Sequence, residues 1–203
     1  MGFPQPPLRS FPMLWDEDEG YSLRSAEAIV GRCAALHATL GVACGLPRDA
    51  GWEWLVANGL LPSLTPQEQA VFDGEHHNIE EVRSGVEAVW GLAWVLGVTE
   101  HLDPSVECPD DFVHRMPDLR SNETLAQWHK RARIRLRSAD EVMTQLDLHY
   151  CLTWGLANSN LRGEVPPGAV EQAVLWQRRR SLEWVIVERE WAAGDWDDSD
   201  LST

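Results

Sequence analysis

The run from Ala88 to Thr99 carries no charge and is almost entirely apolar, and its 12 residues constrain the fold more than any other segment. A helix that spans a bilayer needs about 20 apolar residues, so this run suits a buried helix and not a membrane span. Leading into it and through it, Val82, Val86, Val89, Trp90, Ala93, Trp94 and Leu96 recur at helical spacing and make a wide apolar stripe. Asn78 with Glu81 has the form of a capping box at the start, and Gly97 closes the end. The segment is therefore expected to be the central helix of the domain.

The same signals recur on either side. Ser25 caps a segment in which Ile29, Cys33, Leu36, His37, Leu40 and Cys44 follow spacings of three and four, ending at Gly45-Leu46-Pro47. A shorter helix is expected over Trp52 to Ala57. Thr65-Pro66-Gln67-Glu68 combines an N-cap, a proline at the first helical position and a capping-box Glu, opening a helix that stops near Gly74. Residues 98 to 121 contain three prolines and read as a long connection, followed by a basic helix from Glu123 to Arg137. Ser138 with Glu141 opens a helix through Val142, Leu146, Tyr150, Thr153 and Trp154 to Asn158. A last one carries Val174, Leu175, Arg178, Leu182, Val185 and Ile186. No alternating run is long enough to predict a strand. The expectation is an all-α domain of about six to eight helices over residues 22–203, with an irregular arm at 1–21 that carries four prolines and an acidic tail after Gly194. A chain of 203 residues can bury enough surface for one such domain without disulfides or metals. With 11 Trp among the aromatic residues, much of its core must be built around indoles.

A formal charge of -15 opposes binding to nucleic-acid phosphates and to anionic lipid, and makes a basic protein the electrostatically favoured partner. The candidate contact surface is the arm acids Asp16, Glu17, Asp18 and Glu19 together with the tail acids Asp195, Asp197, Asp198 and Asp200. The four cysteines show no C-x-x-C spacing, and the N-terminus lacks the basic and apolar regions of a signal peptide, so a cytoplasmic location with reduced thiols is expected. Lys130 is the only lysine among 17 basic residues, a bias that with abundant Ala, Gly and Trp suggests a GC-rich bacterial genome.

No pattern implies a metal or cofactor. His76-His77 is followed by Asn78 and not by a second ligand one turn on, and the tail acids lack the turn Gly and distal Glu of a calcium loop. There is no nucleophile elbow, P-loop or dinucleotide fingerprint, so no catalytic residue is assigned. More informative are polar side chains on otherwise apolar helix faces: Arg32, His37, Glu87, Asp147 and Arg178. Charges that point inward must pair, and Glu87 is expected to meet Arg178 or Arg32. Such a cluster either fixes helix register or anchors a pocket lined by Trp90, Trp94, Trp154 and Trp184. The stretch from Arg115 to Arg137 holds seven basic residues and two acids with Trp128 among them, which reads as a solvated basic face, or as an anion or nucleic-acid contact that stacks on Trp128.

Taken together, Arg32-Cys-Ala-Ala-Leu36-His37-Ala38, the segment from Glu87 through Trp90 and Trp94 to Gly97, Asp147-Leu148-His149-Tyr150 with Trp154, the segment from Arg178 to Trp184, and the closing Trp196-Asp197-Asp198 with Thr203 resemble the bacterial domain-of-unknown-function family 4272. The resemblance runs from about residue 22 to the end and implies a compact helix-rich domain without an established activity. Positions that the family commonly fills with Arg and His are Cys151, Thr153 and Ala157 here, and Arg179 stands where a His follows the matching Arg178, which weakens a catalytic reading. The function expected is that of a non-enzymatic interaction domain, of immunity or antitoxin type, whose acidic surface docks a basic partner. The alternative is a small-ligand binder or enzyme with a Trp-lined pocket anchored by Glu87, Arg32 and Arg178. In a third arrangement the polar cluster is structural and surface loops such as 98 to 121 do the binding.

Overall fold

A computed structural model describes residues 21–75, 79–165, 171–188 and Trp196. Eight helices are formed over these residues: α1 (Ala26–Ala43), α2 (Arg48–Ala57), α3 (Pro66–Asp73), α4 (Ile79–Ser84), α5 (Val86–Val95), α6 (Leu125–Ala132), α7 (Ala139–Arg162) and α8 (Gln172–Val185). Short 3-10 turns occupy Leu61–Ser63 and Asp110–Arg115. The mainly helical class expected from the sequence is the class observed, and no helix among the described residues is long and apolar enough to cross a membrane.

Local capping explains where several helices begin. Ser25 accepts from the Ala28 amide at α1. Thr65, Thr124 and Ser138 each complete a reciprocal capping box, with Glu68, Gln127 and Glu141 respectively, at the starts of α3, α6 and α7. Each box satisfies two amides that a helix start otherwise leaves orphaned.

α5 lies at the centre, packed against α1 on one side and along α8 on the other, with α7 flanking α8. The main core joins Ile29, Cys33, Leu36 and Leu40 of α1 to the buried length of α5, Val142 and Leu146 of α7, and Leu182 and Val185 of α8. The opposite face of α1 presents Ala34, Ala35 and Ala38 to a second core built from Trp54, Leu55, Leu60 and Phe72. Because it is covered on both faces, α1 is buried continuously from Gly31 to Leu40, and small alanines let the second layer approach. α5 and α8 also come close: a Cβ at Gly91 would lie 2.2 Å from Ser181 Oγ, so no larger residue fits this crossing without a shift.

The structure differs from the sequence reading at several points, among them the end of α7, which lies at Arg162 and not Asn158. The expected single central helix is divided at Gly85, where the chain tightens to an i→i−3 bond from the Gly85 amide to Val82 O, 3.0 Å, before α5 restarts. The basic helix expected to reach Arg137 ends at Ala132, because Arg133 adopts the left-handed conformation at φ 54°. Residues 133–137 then leave the helix and bond to the end of α5, Arg135 N to Leu96 O and Arg137 N to Val95 O. Gly97 must be glycine for this to happen, since its φ is +70° and a Cβ would sit 2.6 Å from the Arg135 carbonyl oxygen. α2 starts at Arg48, directly after Pro47, four residues before the predicted Trp52. Finally, a two-stranded antiparallel ribbon pairs β1 (Tyr21–Leu23) with β2 (Ile186–Glu188), with Tyr21 opposite Glu188 and Leu23 opposite Ile186. Each strand has three residues, too few for an alternating pattern to register.

Candidate functional site

Glu87 sits in the first turn of α5 and Arg178 in the middle of α8, and the packing of those helices brings the two together in the interior. Arg178 is 0% exposed and Glu87 7%. Arg178 Nε and Nη2 both donate to Glu87 Oε2, at 2.9 and 2.7 Å, and the guanidinium lies 4.4 Å from the centre of the Trp90 ring. Its other bonds leave the helices: Nη1 donates to Asp103 O and Nη2 to Val106 O, each at 2.6 Å. Glu87 Oε1 accepts from the Cys108 amide at 2.7 Å. A buried ion pair is stable only when its remaining polar atoms are satisfied, and here the atoms that satisfy it are backbone groups of one loop.

That loop, residues 99–111, contains no helix or strand before the turn at Asp110. Arg137 holds its entry by donating from Nη2 to the carbonyls of Thr99 and Glu100, at 3.0 and 3.1 Å, while stacking 4.4 Å from the Trp94 ring. Phe112, buried against Trp90, holds its exit. Between these anchors Glu100, Asp103, Glu107, Asp110 and Asp111 are all exposed, and no Lys or Arg lies among them. Hydrogen bonds from the Ser105 hydroxyl and amide hold the Asp103 carboxyl below its ordinary range. Burial pushes the Cys108 thiol up to about 12, which keeps it protonated.

The other polar residues singled out from the sequence are not gathered here. Arg32 does not meet Glu87; it forms a two-pronged pair with Glu68 of α3, donates to Ser63 O at 2.6 Å, and lies 4.4 Å from the Trp196 ring. The sequence context of Glu68 accounts for it fully as a capping-box residue and gives no sign of a second role. It performs both tasks, since Oε2 accepts from the Thr65 amide at 3.0 Å and from Arg32. His37 bonds through Nε2 to Pro117 O at 3.0 Å, and because a carbonyl only accepts, Nε2 carries the proton. Burial lowers the His37 pKa to about 4, so the ring is neutral at pH 7. Asp147 is exposed, with its carboxyl raised by partial desolvation, because the buried side of α7 runs through Leu146, Tyr150 and Thr153 and leaves it at the margin.

His149, two residues on from Asp147, is buried: Nδ1 bonds to Gln145 O at 2.8 Å, and burial lowers its pKa to about 4. Among the described residues the three anchors of the expected Trp-lined pocket, Glu87, Arg32 and Arg178, are all buried. Trp90 and Trp94 are core residues, and none of the three anchors lines either of two clefts on the described surface. Trp128 is also unavailable for stacking, being 0% exposed with its Nε1 donated to Arg115 O. The arm acids Asp16 to Glu19 and the tail acids Asp195, Asp197, Asp198 and Asp200 lie outside the described residues, as do His76 and His77. Among the described residues no group of His, Cys, Asp or Glu is arranged to hold a metal ion.

The larger cleft, about 1210 Å³, lies where the C-terminal half of α1 faces residues 113–123 and α6. His37 and Gly41 line it from α1, and Arg120, Lys130, Arg131 and Arg133 line it from the opposite side. Its two acids are Asp118 and Glu123. Arg131 donates to both carboxylate oxygens of Glu123, from Nε and Nη2, at 2.7 and 2.8 Å.

A family model described as Domain of unknown function (DUF4272) matches residues 1–199 of the chain. No curated protein and no solved structure matches it.

Proposed function

Because this chain belongs to the family described as Domain of unknown function (DUF4272), which carries no activity to assign, we propose from its geometry that it is a non-enzymatic interaction domain that docks a basic protein through the acidic loop 100–111. The observation that carries this reading is the clamp. One buried Arg178–Glu87 pair holds three backbone groups of the loop, those of Asp103, Val106 and Cys108. Five like charges on an irregular segment repel one another, and a segment free to spread would lose entropy on docking. Anchoring it in advance removes part of that cost.

A fixed acidic face also accelerates encounter with a basic partner, by about 10- to 1000-fold where steering operates. The acids of the arm and tail add charge of the same sign to the molecule. An immunity or antitoxin protein that neutralises a basic toxin is the kind of molecule this describes. Glu87 and Arg178, two anchors of the alternative pocket reading, are engaged in holding the loop.

The test compares three proteins in affinity capture from the native host's lysate. One is wild type; the second carries Gln or Asn at Glu100, Asp103, Glu107, Asp110 and Asp111; the third neutralises five exposed acids elsewhere, Asp49, Glu53, Asp73, Glu75 and Glu80. A basic protein retained by the first and third, lost from the second and released as salt rises, is the expected result. Recovery of the same proteins by the loop variant, or of no basic protein by any of the three, refutes the reading.

A further inference from the structure

The cleft between α1 and α6 shares no lining residue with the acidic loop 100–111 and carries charge of the opposite sign. Four cations and two acids line it, and both acids are already engaged. Glu123 takes the fork from Arg131 and also accepts the Asp118 amide at 2.9 Å, while Asp118 accepts the amides of Arg120 and Ser121 at 3.0 and 3.3 Å. These bonds hold both carboxyls below their ordinary range, so they stay ionised and occupied. Arg120, Lys130 and Arg133 are exposed and have no ion-pair partner among the described residues. In a chain with a net charge of -15, three cations lining one concavity with no ion pair of their own among the described residues are unusually placed.

We propose that this cleft binds a small phosphomonoester, with Arg120, Lys130 and Arg133 holding the phosphate and the apolar rim receiving the rest of the ligand. Three unpaired cations match a dianion, and binding one requires no internal ion pair to break. Volume supports a ligand with a body: small-molecule sites span about 300 to 1000 Å³, and this cleft exceeds a lone phosphate many times over. Val113, 53% exposed, and Leu46 offer apolar surface for that body. The Arg133 backbone, held left-handed at φ 54°, ends α6 at the rim and places this side chain at the turn where Lys130 also lies. His37 on the α1 side is neutral at pH 7, so it adds no charge, and its ring serves as a reporter inside the cleft.

The experiment titrates the full chain with phenyl phosphate at ionic strength fixed with sodium chloride, reading calorimetric heat and the His37 ring signals by NMR. Phenol is the uncharged control. Saturable binding of phenyl phosphate with a shift at His37, absent for phenol, is expected. A Lys130→Ala/Arg133→Asn variant should lose at least about tenfold in affinity, since a charge-assisted bond is worth that much, whereas Arg162→Ala, an exposed arginine on α7, should bind as wild type. Both replaced residues are exposed, and an unchanged thermal melt confirms that the variant folds. Binding that survives the double replacement, or an effect that added chloride reproduces, overturns the proposal. A single-stranded RNA oligomer that binds through the same residues while phenyl phosphate does not also overturns it, in favour of a nucleic-acid contact.

Discussion

Replacing Glu87 by glutamine keeps the shape of the side chain and removes one acceptor. The carboxylate uses both oxygens: Oε1 for the Cys108 amide, Oε2 for Nε and Nη2 of Arg178. An amide has a single oxygen, so either the Cys108 N–H or the guanidinium must face an NH2 group. Arg178, 0% exposed, is then a buried cation without a counter-charge. Breaking a buried pair from one side costs about 3 to 5 kcal/mol, which for a chain of this length lowers Tm by about 10 °C. Urea denaturation measures the loss, and amide exchange at Cys108 reports whether the clamp on the loop has opened. Substituting both partners, Glu87→Leu with Arg178→Met, should return much of the global stability because no charge stays buried, yet leave the Cys108 amide fast because its acceptor is gone. A Glu87→Gln protein that melts within about 2 °C of wild type and keeps slow exchange at Cys108 would refute the reasoning.

Stability should also depend on acidity through His37 and His149, whose folded pKa values of about 4 lie below the ordinary 6.5. Depressed values mean that the unfolded chain binds more protons, so the contribution is complete above pH 6.5 and is lost as pH falls toward 4. The slope is about 1.4 kcal/mol per pH unit per histidine. Chemical denaturation across that range should show it, and His37→Gln should remove about one proton's worth of slope; an identical profile in the variant would count against burial as the cause. At the crossing of α5 and α8, Gly91→Ala should destabilise by about 1 to 3 kcal/mol through its collision with Ser181 Oγ, and Ser181→Ala in the same chain should recover most of that, which thermal melts of the single and double variants will decide. Trp196→Ala removes a ring that packs edge-on against Trp184 and lies under both Arg32 and Arg180. A loss of about 3 to 5 kcal/mol in urea denaturation is expected, and a change under 1 kcal/mol would show that the ring contributes little there.

Helix starts were the most legible part of the chain because a cap is a local device: Ser25, Thr65 and Ser138 announce α1, α3 and α7 within four residues. Helix ends were less so. The unwinding at Arg133 depends on a carbonyl of Leu96 waiting for the Arg135 amide, and the tightening at Gly85 on packing beneath α1, and neither partner is near in sequence. For the polar cluster, sequence periodicity placed Glu87 and Arg178 on inward faces, but it could not decide between Arg178 and Arg32 as partner, since that depends on how α5 and α8 cross. Asp147 lies on a helix margin, where a small rotation about the axis separates buried from exposed. The sequence marks residues 98 to 121 as a proline-containing connection and a candidate binding loop, but what makes the acidic part a defined surface is a pair of side chains contributed by two distant helices.

The pairing of β1 with β2 has a consequence for how this protein is made. Arg24, just after β1, donates to the carbonyl of Trp184, 160 residues further along the chain. A ribosome adding about 5 to 20 residues per second needs roughly 8 to 30 s to cover that distance. Throughout that interval Tyr21–Leu23 has been synthesised and its partner strand has not. α5 is in the same position, since α8 emerges long after it and α5 carries Trp90, Trp94 and Leu92 with one flank uncovered. Completion of the core is thus gated by the last helix, and a nascent chain stalled before α8 would present the most apolar segment of the molecule to whatever chaperone stands at the exit.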